Sequence, residues 1–434
     1  MALTDLPRVS LCVLNWNGRK HLSACLDSLL ALDYPLDRLE LVVCDNGSED
    51  GSVELVRGSY PRFTLIELDR NYGFAEGNNR AAAAANGEWV GFLNNDMVVD
   101  ASWLRDLVAP LEDNPGISCL ASRIVNWNGS KIDFIGGGIN FQGHGLQLDY
   151  ARPSSPRDVA RRILFACGGA MLVRRELFLE VGGFDPSYFA FFEDVDLGWR
   201  LNLLGHDVWY NPAATVRHRH HGTASRFTDY QLKMLSERNA LFTIFKNYDE
   251  ENFHRVVPVA MMLLNEKAIL MAGVNVPAFR PSQTQPAPGF PHWERSRPAH
   301  EGPAAKLQRV VREEGVGALA AKAGKRVTTK SHALYSKLRP AGGSRFEPPL
   351  DTHVVPNVAI SHIVAIRELA HNLAELREKR GWIQSRRRRT DDEVLSLGGV
   401  LLEDPTFGPP DYLDFQHWLC EVTGINARFD AMKL

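Results

Sequence analysis

Short apolar runs and helical stripes take turns through the first hundred residues, and this alternation constrains the fold more than any other feature. Val9–Leu14, Leu39–Cys44, Phe63–Leu68 and Trp89–Leu93 are mostly apolar runs of five or six residues, as expected of strands buried on both sides. Between them, His21–Leu30 carries Leu22, Leu26, Leu29 and Leu30 at helical spacing, and Asn78–Asn86 contains the alanines Ala81–Ala85. Strands and helices in this rhythm imply a mostly parallel sheet with crossover helices, a Rossmann-like α/β fold with helices on both faces.

In such sheets ligands sit beyond the carboxyl ends of the strands. Those ends read Asn15-Trp16-Asn17-Gly18, Asp45-Asn46-Gly47-Ser48, Asp69-Arg70-Asn71-Tyr72-Gly73 and Asn94-Asn95-Asp96. One Asn- or Asp-rich end is ordinary turn chemistry. Four in succession point to one site built from four loops.

Beyond Asp100 the pattern loosens. Ile117–Val125 reads as a strand, Gly136–Gly145 as a hairpin or loop, and Leu164–Val173 as a strand interrupted at Gly168-Gly169. Glu193–Leu204 and Ser236–Lys246 read as helices. Phe191-Phe192-Glu193-Asp194-Val195-Asp196 is the densest chemical signal. Acidic residues suit the first turn of a helix, but a carboxylate beside aromatic surface also gains proton affinity, which suits a general base. Asp96 at its strand end can hold Mg²⁺ or Mn²⁺, which favour oxygen ligands shared with phosphates, although Asn and Asp at a strand end are also ordinary turn formers. His218, His220 and His221 follow; they lack the spacing and the nearby Cys of a structural zinc site, and one of them could complete a shell begun by Asp96.

The order of these pieces resembles the inverting family 2 glycosyltransferases of the GT-A fold, and within them the bacterial rhamnosyltransferase-like members. The resemblance spans Arg8 to Asn247. It rests on Val9–Gly18, Asp45–Ser52, Asn71–Asn79, Leu93–Asp96, Gly182–Pro186, Phe192–Leu197 with Arg200, Val216–Ser225, and Arg238-Asn239 with Lys246-Asn247. It implies that Asn15 and Asp45 hold the nucleobase and neighbouring donor groups, that Gly73, Asn78 and Asn95 line the nucleotide pocket, and that Asp96 with His220 or His218 binds the metal. Asn94 stands where the family's first metal-motif Asp would be. Asp194 aligns with the catalytic base, and Glu193 and Trp199 are placed on the acceptor side. The implied reaction moves a sugar from a nucleotide-diphosphate donor, dTDP-L-rhamnose before a UDP-sugar, to a hydroxyl of a glycan or lipid-linked acceptor. A nucleotidyltransferase would want a Gly-rich basic phosphate loop, which Asn15–Lys20 is not. A non-catalytic sugar-binding module would have lost Asp96 or Asp194, and both are present.

Residues 1–250 are thus read as the catalytic domain and 251–434 as a Pro-rich linker with a mainly helical extension. Residues 251–346 hold fifteen Lys and Arg against six Asp and Glu, in a chain whose net charge is −3. This basic stretch, with the Val256–Gly273 helix, fits a solvated linker or a peripheral contact with the inner face of a membrane; no nucleic-acid partner is expected, and oligomerisation is left open. Ile360–Lys379 reads as helical, followed by the basic run Arg386–Arg389. Six isolated cysteines, no secretory signal and no twenty-residue apolar span favour a reduced, cytoplasmic setting.

Overall fold

The computed structural model describes residues 6–219, 227–276, 355–403 and 407–434. The apolar runs become strands with close to the expected bounds: β1 (Val9–Asn15), β2 (Leu39–Asp45), β3 (Thr64–Glu67) and β4 (Trp89–Asn94). They are joined by α1 (Arg19–Leu30), α2 (Ser52–Ser59) and α3 (Gly73–Ala84). β4, β1, β2 and β3 lie side by side in parallel, with Asn15 opposite Asp45 in the ladder. Burial explains the apolarity of β1, β2 and β4, where Leu11, Cys12, Val13, Val42, Val43 and Phe92 are at most 1% exposed; β3, at the sheet edge, is not the doubly buried strand expected, and its Thr64 and Glu67 are exposed.

The sheet continues past β4 through β11 (Ala170–Arg174), β6 (Ile117–Asn126), β12 (Asp207–His218) and β10 (Arg161–Arg162). Two short strands attach beside this path: β5 (Met97–Val99) on β12, and β7 (Ile132–Phe134) on β6. β11 runs antiparallel to both neighbours, whereas β12 is parallel to β6. The fold is α/β with a mostly parallel core. The strand expected over Leu164–Val173 begins only at Ala170: the Gly169 carbonyl accepts from the Asn94 N–H at the end of β4, and the Gly168 N–H goes instead to the Asp194 side chain.

A second sheet joins distant sequence. β8 (Gly137–Asn140) and β9 (Gly145–Gln147) form the expected hairpin, and β13 (Val400–Leu401) pairs in parallel with β8. Helices α4 (Trp103–Val108), α5 (Arg175–Glu180), α6 (Glu193–Leu203), α7 (Asp229–Asn247) and α8 (Glu250–Met271) complete the earlier part of the chain. The later part adds α9 (Asn357–His371), α10 (Leu373–Arg386), α11 (Asp391–Leu395), α12 (Pro410–Val422) and α13 (Ile425–Phe429).

The helical stretch expected over Ile360–Lys379 is present as two helices that meet at Asn372, whose side chain turns back onto the Glu368 carbonyl. The apolar side of α8 packs inside the protein against α7 and α9. Its Lys267 is fully buried on Glu237 at 3.0 Å, so this face is not offered to a membrane. Two arginines of the basic run are likewise paired within the protein: Arg387 binds Asp391 at 2.8 Å, and Arg389 binds Asp207 at 2.6 Å. Residues 6–274 and 355–434 belong to one compact unit. The Pro-rich stretch from 277 lies outside the described residues. Among the described residues, no helix is long and apolar enough to cross a membrane.

Candidate active site

The four polar strand ends are stitched together by their own amides and carboxylates. Asn15 Nδ2 donates to Asp45 Oδ2 at 2.8 Å, and Asn95 Nδ2 donates to Asn15 Oδ1 at 2.8 Å. Asn46 Nδ2 donates to Asn71 Oδ1 and to the Gly73 carbonyl, both at 3.0 Å, while its Oδ1 accepts from Tyr72 N at 2.9 Å. Such side-chain bonds satisfy loop backbone that no strand or helix partners. Gly73 is required where it stands. Its φ is +84°, and a Cβ there would lie 2.5 Å from the Phe189 carbonyl.

These loops form one wall of a cavity of about 650 Å³. Gly73, Asn94, Asn95 and Asp96 line it on one side, Gly145–Gln147, Phe134 and Phe165 on another, and Phe189–Val195 close it. The sequence-selected Glu193 and Asp194 face this space with Asp96. Asn15 and Asp45 stand behind the lining and hold the loops that form it. Asn78 does not reach the cavity; it is buried on α3 with its amide on the Phe74 carbonyl. Nor does Trp199, the expected acceptor contact. Five residues beyond Asp194 is about 140° around a helix, and the indole is fully buried, edge-on to Tyr248 at 5.0 Å.

The aromatic run before α6 has a geometric purpose. Phe189, Phe191 and Phe192 have φ of 64°, 73° and 65°, a region that bulky residues avoid. Asn239 holds them there, its Nδ2 facing the carbonyls of Tyr188, Ala190 and Phe191 at 3.1, 2.8 and 2.7 Å. Arg238 adds a bond to the Tyr188 carbonyl at 2.8 Å. This tight passage delivers Glu193 and Asp194 to the cavity at the start of α6.

The three carboxylates of that motif then part company. Asp196 turns into the core, where Arg200, Lys246 and Asn247 partner it at 2.8, 2.9 and 2.9 Å. Asp194 accepts from the backbone N–H groups of Gly168 and Val195, each at 2.8 Å. Burial still raises its proton affinity above that of an ordinary aspartate. Glu193 is pushed further up, first by burial and then by the Asp194 charge. Its Oε2 is buried with no hydrogen-bond partner.

Across the cavity, β12 pairs with β5 in a register that sets His218 opposite Met97, one residue past Asp96. His218 Nε2 lies 3.4 Å from Asp96 Oδ2, and Nδ1 lies 2.7 Å from Asp133 Oδ2. Burial opposes charge on this imidazole, but the two carboxylates outweigh it and raise it to about 9. Asp96 is correspondingly held below the usual carboxylate range despite its burial. No cluster of three or more acidic, His or Cys side chains among the described residues makes a cage by itself. The donor set nevertheless fits a divalent ion. A carboxylate oxygen and an imidazole nitrogen, the latter oriented by Asp133, leave the remaining positions for phosphate oxygens and water. His220, the other expected ligand, lies outside the described residues. Asp133 had no signal in the sequence: it is one acid between Ile132 and Phe134, brought to the site only by the β6–β7 pairing.

The profile described as Glycosyl transferase family 2 matches residues 10–182. A related N-acetylglucosaminyl-diphospho-decaprenol L-rhamnosyltransferase of Mycobacterium tuberculosis is 30% identical over 233 residues, 47% of this chain and 73% of that one. The chain belongs to glycosyltransferase family 2. This family 2 chain is also 32% identical over 231 residues to the O-antigen biosynthesis protein RfbC of Myxococcus xanthus, which covers 51% of this chain but only 18% of that protein. It thus spans less than a fifth of the length of that relative. Among solved structures, GalNAc-T7 with UDP, GalNAc and Mn²⁺ matches 59% of this chain and 51% of that one, at 18% identity and a TM-score of 0.47. A mannosyltransferase from Pyrobaculum calidifontis, in complex with GDP-Man and Mn²⁺, matches 84% and 88% at 17% identity and a TM-score of 0.45.

Proposed function

We propose that this chain is an inverting glycosyltransferase that moves a sugar from a nucleotide-diphosphate donor to a hydroxyl of a glycan or lipid-linked acceptor, with Mg²⁺ or Mn²⁺ as cofactor. The observation that carries the reading is one cavity with Asp96 and His218 on one wall and the buried Asp194 carboxylate on another. The loops after β1–β4 would take the nucleoside, with Gly73 and Asn95 on the lining and Asn15 and Asp45 fixing the loops. Asp96 and His218 would hold the metal, which supplies Lewis-acid stabilisation of the departing diphosphate.

Asp194 is the base. As the acceptor oxygen bonds to the anomeric carbon and the bond to the diphosphate breaks, the hydroxyl proton passes to an Asp194 oxygen. One displacement inverts the anomeric centre and needs no covalent sugar–enzyme intermediate. Glu193, protonated in its buried position, can donate a hydrogen bond to the acceptor. The name of the mycobacterial relative supports L-rhamnose as the sugar moved, and we take dTDP-L-rhamnose as the donor ahead of UDP-sugars.

The test is thermal unfolding with dTDP, UDP and GDP, each with and without Mn²⁺ or Mg²⁺. A ligand at 100 times its Kd stabilises by about 2.7 kcal/mol. Metal-dependent stabilisation by dTDP, absent in Asp96→Ala, is the expected result. A flat panel would overturn the donor-site assignment.

A further inference from the structure

Behind His218 runs a short chain of side-chain bonds that ends on the cavity wall. His218 Nδ1 donates to Asp133 Oδ2 at 2.7 Å, and Gln147 Nε2 donates to Asp133 Oδ1 at 3.0 Å. The carboxylate thus offers one oxygen to each donor. Local structure brings it there. β7 pairs with β6 so that Ile132 faces Val125 and Phe134 faces Ile124. Asp133 is the extra residue of a bulge, a device by which a strand re-aims a side chain. Its side chain is 3% exposed. Gln147 comes from the other sheet, at the end of β9 opposite Gly137, and lines the cavity.

A bond between two sheets can serve merely to tie a hairpin down, but this hairpin has other anchors. β8 pairs with β13, Tyr248 donates to the Phe141 carbonyl at 3.0 Å, and His144 meets Glu237 at 2.8 Å. Gln147 is exposed, at the far end of β9 from the His144 anchor. What its amide adds is geometric. A carboxylate held by one imidazole can still turn about its side-chain bonds, whereas a second donor on the other oxygen fixes its plane. The amide is also neutral, so it orients Asp133 without cancelling its charge, as a lysine or arginine would.

A ligating histidine is oriented by the partner of its second ring nitrogen. We infer that Gln147 is a positioning residue for the metal: it locks Asp133, Asp133 locks the His218 ring, and Nε2 is held toward Asp96, 3.4 Å away. This rests on the function proposed above.

The experiment titrates Mn²⁺ into the full chain at saturating dTDP, UDP or GDP, whichever stabilises it. Free Mn²⁺ is read from its electron paramagnetic resonance signal. Partners of a ligating histidine are typically worth about 10–100-fold in metal affinity. Asp133→Ala should fall in that range, and Gln147→Leu, one bond further out, should weaken Mn²⁺ by about three- to tenfold. Nucleotide affinity measured without metal should change in neither. Because Gln147 acts through Asp133, adding Gln147→Leu to Asp133→Ala should cost nothing more. Asp133→Asn has one oxygen for two donors and should fall between wild type and Asp133→Ala. It replaces Asp133→Ala in the cycle should that variant not fold, and there too Gln147→Leu should weaken Mn²⁺ no further.

An unchanged Mn²⁺ affinity in Gln147→Leu would overturn the inference. So would a loss that adds in full to that of the Asp133 variant, which would give Gln147 a role in hairpin packing alone. Either result would leave the metal site itself standing. A wild-type chain that takes up no Mn²⁺, with or without nucleotide, would instead refute the metal site of the proposed function, and this inference with it.

Discussion

Asp194 and Glu193 show how adjacent residues acquire different duties. Both are buried acids, but backbone N–H groups stabilise the Asp194 anion, while Glu193 Oε2 has no partner. Asp194 is therefore the group that ionises first, as the proposed role of base requires. A raised folded-state value means activity falls as pH drops through a point above that of a free aspartate, about 3.9. The acid limb of a kcat/KM profile should show this, and Asp194→Asn should lower kcat by about 10²–10⁴-fold while nucleotide-induced stabilisation persists. Asn239 is the second residue to probe. Three phenylalanines in the left-handed region hold about 1–3 kcal/mol of strain each, sustained only by their surroundings. Asn239→Asp should destabilise more than Asn239→Ala, since a carboxylate would face the Tyr188, Ala190 and Phe191 carbonyls without a proton to give. Urea unfolding of the two variants measures the difference.

At the scale of elements, buried charge fastens helices to one another. Lys246 on α7 bridges Asp185 and Asp196 at 2.6 and 2.9 Å, and Lys379 on α10 reaches Asp185 at 2.6 Å. Removing one partner of a buried pair costs about 3–5 kcal/mol, the loss expected for Lys246→Met in equilibrium unfolding. Burial opposes the Asp185 anion, but Lys246 and Lys379 hold its carboxyl far below the usual range. Its contribution is therefore complete above the free aspartate value and disappears as pH falls below it. In Asp185→Asn, stability should accordingly lose part of its decline between about pH 5 and pH 2. The parallel strands were legible because runs such as Leu39–Cys44 are buried on both faces, which leaves a local signature. So were the loops at their ends and the Glu193-Asp194 pair. The break at Asn372, the inward turn of Trp199 and the arrival of Asp133 beside His218 were not, because each depends on packing between segments remote in sequence. Asp196 has one cation close by in sequence, Arg200, but its other, Lys246, lies on α7, and Asp185 is met by Lys246 and by Lys379 of α10, up to 194 residues away.

Across the molecule, the late part of the chain helps build the cavity wall. β13 pairs with β8, β8 with β9, and Gly145–Gln147 of β9 line the cavity. His144, next to Gly145, bonds Glu237 of α7 at 2.8 Å, and Glu237 also receives Lys267 of α8 and faces His362 of α9. Residues 355–434 are thus structural partners of the site, and cutting them away would strip Asp185 of Lys379 and uncover the Glu237 cluster. A chain ending at Val274 should lose cooperative thermal unfolding, and co-expression with residues 355–434 should restore it. A gentler probe acts at the shared sheet. A Cβ on Gly138 would sit 2.6 Å from the Gly398 carbonyl and 2.8 Å from Leu434 Cδ1. Gly138→Val should therefore push β13 from β8 and destabilise by about 1–3 kcal/mol. Because the loops proposed to take the nucleoside hang on β1–β4, stabilisation by nucleotide and metal should survive in the folded variant. The KM for acceptor should rise instead. Equal losses in nucleotide binding and acceptor KM would show that the hairpin serves stability alone.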